Sequence, residues 1–167
     1  GLNPALDYDF TAVANNGLGD SSPTSEVNAK PIPASPTGLT ATDSGGGGIN
    51  VSWNSSTGSD NYTVYWTDDP STPIDPSNPA TYDGFVVVNA PASSTSITGL
   101  NPALDYDFTA VANNGLGDSS PTSEVNAKPI PVSPTGLTAT DSQEGGLNVS
   151  WNSSTGADNY TVYWTSN

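Results

Sequence analysis

Carboxylates are the side chains in this sequence best suited to chemistry, because it has 17 Asp and Glu residues but no His and no Cys. Asp7 and Asp9 flank one tyrosine, and Asp105 and Asp107 flank another. At two-residue spacing in a strand, the two members of a pair share one face about 7 Å apart. Such a pair can serve as general acid and base or bind Ca²⁺. The competing interpretation, which we favour, is a solvated strand face that protects a sheet edge, since a flat face offers no cleft for catalysis.

A second acidic group lies in and around a proline-rich stretch, residues 69–79. Carboxylates are the hard oxygen donors that calcium prefers, but these four follow no fixed ligand spacing. The pattern favours a solvated loop stiffened by proline, with calcium as the alternative and no other cofactor. The weak calcium candidates are Asp68, Asp69, Asp75 and Asp83.

Composition excludes much of enzyme chemistry. Without His, Cys or Arg, the chain lacks Ser-His-Asp and Cys-His nucleophile systems, thiolate or imidazole metal sites, and arginine-based phosphate recognition. We therefore predict that it is not an enzyme. Two basic residues and a net charge of −15 disfavour nucleic acid and anionic membranes, and leave cations and polar glycans as partners. The longest apolar run, Phe85–Val88, is too short to insert into a membrane.

The sequence repeats itself at an offset of 98 residues. Residues 1–69 align with residues 99–167, and residues 1–33 are identical to 99–131. A period of this length suits one complete small domain, so it predicts a tandem array of domains. The seven differing positions are Ala34/Val132, Gly45/Gln143, Gly46/Glu144, Ile49/Leu147, Ser59/Ala157, Asp68/Ser166 and Asp69/Asn167.

Local patterns within one period are typical of strands. Ile49, Val51 and Trp53 alternate with polar residues, and similar alternation marks residues 62–66 and 106–113. Gly-, Asn- and Pro-rich turns separate these runs, and no segment shows a helical repeat. The chain is therefore predicted to be all-β, an antiparallel two-sheet sandwich with one face of each strand buried and one exposed.

Several segments resemble a fibronectin type III domain read from strand A to strand G. They are Pro36–Thr42, Ile49–Trp53, Asn61–Tyr65, Ser96–Ala112 and Gly117–Pro121. The most specific is Leu100-x-Pro102-x-x-x-Tyr106, which resembles the tyrosine corner of immunoglobulin-like sandwiches, where the phenol oxygen bonds to the chain a few residues upstream. The resemblance implies structural roles for Trp53, as the buried strand B tryptophan, and for Tyr62, Pro102, Tyr106 and Phe108.

The same resemblance implies three parts: residues 1–31 as strands F and G of one domain, 32–130 as a complete domain, and 131–167 as strands A to C of another. A two-stranded ribbon is marginally stable alone, so the outer parts are expected to need completion. The absence of Met indicates a piece of a longer chain. We expect continuous polypeptide to complete these parts, with strand exchange between chains as the alternative.

Two further motifs have both structural and functional interpretations. Residues 113–118 read Asn-Asn-Gly-Leu-Gly-Asp at the place where some family members carry an integrin-binding Arg-Gly-Asp, and lack the arginine. Their glycines suit backbone turns. Six Asn-x-Ser/Thr sequons are glycosylation candidates or chance matches in a Ser/Thr-rich chain, namely Asn50, Asn54, Asn61, Asn148, Asn152 and Asn159.

These observations predict a non-enzymatic structural protein, a rod or filament of near-identical domains at a cell surface or in an extracellular matrix. Its expected partners are neighbouring repeats or copies of itself. The alternative is a spacer or accessory segment of a secreted glycan-degrading enzyme or adhesin, in which an exposed Tyr65 or Trp66 would stack on sugar rings. A third interpretation is an adhesin stalk stiffened by calcium.

Overall fold

The structure, a computed structural model, describes residues 1–166. It is built from short antiparallel strands, as turn-separated β-branched and aromatic runs predict. In chain order the elements are β1 (Tyr8–Phe10), β2 (Asn15–Asn16), β3 (Gly19–Asp20), β4 (Val27–Ala29), β5 (Thr37–Gly45), β6 (Gly48–Asn54), β7 (Asn61–Thr67), a 3-10 helix (Pro79–Thr81), β8 (Gly84–Asn89), β9 (Ser94–Ile97), β10 (Tyr106–Asn113), β11 (Val125–Ala127), β12 (Thr135–Asp141) and β13 (Leu147–Asn152).

The central part of the chain folds into a sandwich of two sheets. One sheet has the strand order β5-β6-β9, and the other has the order β11-β10-β7-β8. All pairings are antiparallel, with Val51 opposite Thr95 in the first sheet and Ala110 opposite Val64 in the second. The predicted all-β antiparallel sandwich is confirmed.

Strand β6 shows why the two sheets pack together. Ile49 and Val51 are fully buried and Trp53 is nearly so, whereas Asn50 and Ser52 between them are exposed. Period-two alternation therefore directs one apolar face into the sandwich. From the facing sheet, Tyr62 and Phe108 complete this main core.

Strands β7 and β10 depart from the predicted alternation, because they are buried on both faces. Residues 62–65 and 108–112 are buried without interruption. The segment that joins β7 to β8 folds over the outer face, where Ile74 packs with Tyr65 and Val111 in a second, smaller core. The expectation of one exposed face is wrong for these two strands because a long loop replaces solvent there.

The flanking segments repeat parts of the sandwich with their apolar faces open. Strand β1 pairs with β4 in the same register as β10 with β11, yet Phe10 is 45% exposed while its copy Phe108 is fully buried. Strand β12 pairs with β13, but residues 159–165, the copy of β7, form no strand there. Ladders to β8 and β10 stabilise β7, and this copy has neither. In the part of the chain that the structure describes, no helix has the length and apolarity needed to span a membrane.

Candidate functional site

The link between β9 and β10 forms a closed arch around a tyrosine. The Asn101 amide donates a hydrogen bond to Tyr106 Oη at 3.0 Å, and the Leu104 amide donates to the Asn101 carbonyl at 3.0 Å. Tyr106 and Pro102 are both buried. The copy in the first segment makes the same bond, from the Asn3 amide to Tyr8 Oη at 2.7 Å. This geometry fixes how the chain crosses from one sheet to the other.

The acidic loop between β7 and β8 uses its carboxylates to hold its own backbone. Asp69 Oδ1 accepts hydrogen bonds from the Ser71 amide at 3.0 Å and from Ser71 Oγ, and Asp75 Oδ1 binds Ser77 in the same way. Asp83 Oδ2 accepts from the Asp68 amide at 2.7 Å. Asp69 and Asp75 thus close two separate local turns, while Asp83 accepts from the backbone across the loop. The described residues contain no group of three or more acidic side chains placed to hold a metal ion.

The paired aspartates of the tyrosine-containing strands differ in position. Asp105 is exposed and precedes β10, whereas Asp107 lies within the strand and its Oδ1 accepts a hydrogen bond from Asn126 Nδ2 at 3.0 Å. Asp9 and Asn28 form the same cross-strand bond. One member of each pair therefore ties neighbouring strands together.

The loop after β10 is closed by its own side chains. Asn113 Nδ2 donates to Asp118 Oδ1 at 2.6 Å, and Asn113 Oδ1 accepts from the Gly115 amide, where φ is +75°. Leu116 is exposed at the tip. Asn114 is buried, and its Nδ2 donates to the Pro31 carbonyl at 2.8 Å. Sequence reasoning missed this contact, because no local pattern indicates a partner 83 residues away.

The aromatic pair proposed for sugar stacking is covered rather than open. Tyr65 is 9% exposed, and its ring lies edge-on to Tyr82 with a centroid distance of 4.8 Å. Burial, with smaller effects from Asp118 and Tyr82, raises the pKa of Tyr65 above its usual value. Trp66 packs across the backbone of Gly84, where a side chain would collide with the indole. The expectation that these rings are exposed is wrong: residues 68–83 fold over Tyr65, whereas Trp66 is half-buried because it packs against the main core.

The sequons lie on strands and turns of both repeats. Asn61 is half-buried, and the other five asparagines are exposed. The side-chain nitrogens of Asn54 and Asn152 donate to Thr37 Oγ1 at 3.3 Å and to Thr135 Oγ1 at 3.1 Å. Asn50 Oδ1 accepts a hydrogen bond from Ser96 Oγ.

A family comparison agrees with this geometry. The family model described as "Fibronectin type III domain" matches residues 34–128, more than half of the chain. The chain belongs to this family. The match begins just before β5 and ends just after β11, so it contains both sheets of the sandwich.

The relatives of this fibronectin type III chain are much longer proteins. It is 29% identical over 155 residues to contactin-2 of Homo sapiens, and the matched region covers 85% of this chain and 14% of contactin-2. It is 28% identical over 119 residues to receptor-type tyrosine-protein phosphatase F of Danio rerio, and the matched region covers 71% of this chain but 6% of the phosphatase. The chain therefore spans a small fraction of the relatives that it matches.

Solved structures of similar fold include multi-domain segments. A segment of two fibronectin type III domains from chicken tenascin matches with a TM-score of 0.55 and 24% identity, covering 77% of this chain and 67% of the segment. The FN1-FN3 domains of chicken CNTN1 match with a TM-score of 0.52 and 21% identity, covering 76% of this chain and 42% of theirs. These likenesses establish the fold.

We expect Tyr106→Phe to lower the free energy of unfolding of the fibronectin type III sandwich by about 1–2 kcal/mol, because the Asn101 amide loses its acceptor. Urea unfolding followed by near-UV circular dichroism measures the change. Tyr8→Phe is the matched control, since it removes the same bond from a segment outside the sandwich and should change this transition by less than about 0.5 kcal/mol. Equal losses in the two variants would contradict the structural role of this corner.

We expect the turns held by Asp69 and Asp75 to open only when the pH falls below the ordinary pKa of an aspartate. Hydrogen bonds from the Ser71 and Ser77 side chains, reinforced by the backbone amides of the same residues, lower the pKa of Asp69 and Asp75. A carboxyl whose pKa is lowered in the folded state stabilises the loop above its ordinary pKa of about 3.9, and this effect is lost as the pH falls through the lower folded value. NMR titration of the Ser71 and Ser77 amides should give midpoints below that value. Midpoints above it would contradict the two turns.

We expect calcium to leave the stability unchanged, because the carboxylates of Asp69, Asp75 and Asp83 already accept hydrogen bonds from backbone or serine groups. Thermal unfolding curves recorded with calcium and with a chelator should coincide. A shift that Asp75→Asn abolishes would instead assign a calcium site to this loop.

Proposed function

We propose that this chain is part of a non-enzymatic structural protein in which near-identical fibronectin type III domains follow one another in a rod or filament. The observation that carries the proposal is the repeat, since 62 of 69 aligned positions are identical at an offset of 98 residues. Domains with separate binding tasks would be expected to diverge, whereas copies with one shared mechanical task have no reason to do so. Neighbouring repeats are the expected partners.

The proposed domain limits are 32–130 for the complete domain, with 1–31 and 131–167 as parts of its neighbours. The identical register of β1 with β4 and of β10 with β11 supports the equivalence of the first segment and the end of the complete domain. Residues 127–134 contain three prolines, which restrict φ and favour an extended, semi-rigid connection. A net charge of −15 opposes lateral aggregation of a long array.

An extracellular or cell-surface location follows from the same proposal.

One relative is a receptor-type phosphatase by name, and the matched region is 6% of its length. The match therefore carries no phosphatase activity to this chain. The carboxylates of Asp69, Asp75 and Asp83 accept from backbone or serine groups, and that of Asp107 accepts from Asn126, which supports a scaffold role rather than catalysis.

Electron microscopy of the native, full-length polypeptide tests this function. We expect unbranched rods or filaments whose length grows by about 3 nm for each 98-residue repeat, the length of an eight-residue strand with its loops. Particles dominated by one globular head with a short stalk would overturn the proposal and support a spacer segment of a secreted enzyme or adhesin.

A further inference from the structure

One glycine in the β6–β7 loop lies directly against the preceding repeat. A β-carbon on Gly58 would collide with the Pro4 carbonyl group and lie 2.7 Å from the Ala5 nitrogen. The same contact recurs 98 residues later, where a β-carbon on Gly156 would collide with Pro102 and lie 2.8 Å from the Ala103 nitrogen. The structure therefore contains two copies of one close contact between successive repeats.

A second contact lies on the neighbouring loop after β10. Asn114 Nδ2 donates to the Pro31 carbonyl at 2.8 Å, and a β-carbon on Gly117 would lie 3.1 Å from Ile32 Cγ2. Asn16, the copy of Asn114, is exposed. Each asparagine also accepts a local hydrogen bond from a backbone amide, Asn16 from Leu18 and Asn114 from Leu116. The contact that Asn114 makes with the linker therefore distinguishes it from its copy.

We propose that these two loops form a docking surface for the preceding repeat. Gly58 receives the tyrosine corner of that repeat at Pro4–Ala5, while Asn114 and Gly117 hold the junction between the two domains at Pro31 and Ile32. This inference deepens the proposed rod function and rests on it. The occupant is a preceding copy of the same domain, because its contact residues are identical in the two copies of the sequence.

The chemistry of the surface explains why it suits a rod. Two separated contacts oppose rotation about the linker, and Pro4 in the corner and Pro31 in the linker further restrict the backbone. None of these contacts joins charged groups, so the joint is compatible with a chain that carries only two basic residues. Adjacent domains move freely by default unless such contacts restrain them.

Spin-label distance measurements on the full chain test the joint. The chain has no cysteine, so Asp20→Cys and Ser94→Cys provide unique label sites on exposed positions of the first segment and the sandwich. We expect one narrow distance distribution. Gly58→Val should broaden it about twofold, because the side chain displaces Pro4 and frees the joint. Asn114→Ala should broaden the distance distribution less than Gly58→Val does. Near-UV circular dichroism reports whether the sandwich remains folded in each variant.

Two matched controls separate the joint from local effects. Gly99 has a φ of +78°, and a β-carbon there would meet no atom within 4 Å. Gly99→Val therefore imposes similar backbone strain without a collision and should leave the width of the distance distribution unchanged. Asn16→Ala removes the local bond alone and should also have no effect. A broad distribution in the unmodified chain, or equal widths for Gly58→Val and Gly99→Val, would overturn the joint. A narrow distribution combined with globular native particles would support the joint and overturn the proposed rod.

Discussion

Replacing Trp53 with alanine is expected to lower the free energy of unfolding of the complete sandwich by about 3–5 kcal/mol, the range for removing a large aromatic side chain from a core. Trp53 is 5% exposed and packs on Tyr62, with the ring centroids 5.3 Å apart. Its Nε1 is buried without a hydrogen-bond partner in the described residues, so the stabilisation comes from packing. Urea unfolding followed by near-UV circular dichroism measures the loss.

The copy of this residue supplies the control. Trp151 is only half-buried and packs on Tyr160 in an open segment, so Trp151→Ala should leave the main unfolding transition within about 0.5 kcal/mol of the unmodified chain. A loss below about 1 kcal/mol for Trp53→Ala would contradict the assignment of β6 to the core.

Phe108→Ala is expected to have an effect of similar size, about 3–5 kcal/mol, because Phe108 is fully buried between the two sheets. Phe10 has the same neighbours in sequence and lies in the same strand register, but it is 45% exposed. Phe10→Ala should therefore change the unfolding of the sandwich by less than about 0.5 kcal/mol. Hydrogen exchange of the β10 amides, recorded for both variants, checks the difference. Equal protection losses would show that burial does not distinguish the two copies.

Local sequence predicted the strands whose surroundings are simple. The alternation around Val51 matches β6 because one face meets the opposite sheet and the other meets solvent. The prediction of one exposed face failed for β7, because Ile74 covers the outer face of that strand. Ile74 is an isolated apolar residue in a proline-rich loop. Single apolar residues in loops give no periodic signal, so this cover was not predictable from pattern.

In the candidate sites too, neighbouring residues in the sequence indicate local turns but not contacts between distant segments. The acidic loop carries a local signal that the sequence reasoning missed, the repeated Asp-Pro-Ser at residues 69–71 and 75–77, where Asp accepts a bond from the backbone two residues on. Gly58 has a φ of +76°, which suits a glycine in the turn between β6 and β7. Its contact with Pro4 depends on how one repeat follows another, which no local pattern contains.

Single-molecule force extension of the native polypeptide tests the central claim, a tandem array of near-identical sandwiches, most directly. Each unfolding event should release about 30 nm of chain, since 98 extended residues span about 33 nm and the folded domain about 3 nm. We expect a series of unfolding peaks with this equal spacing. Peaks of unequal spacing, or a single event of that size, would contradict it.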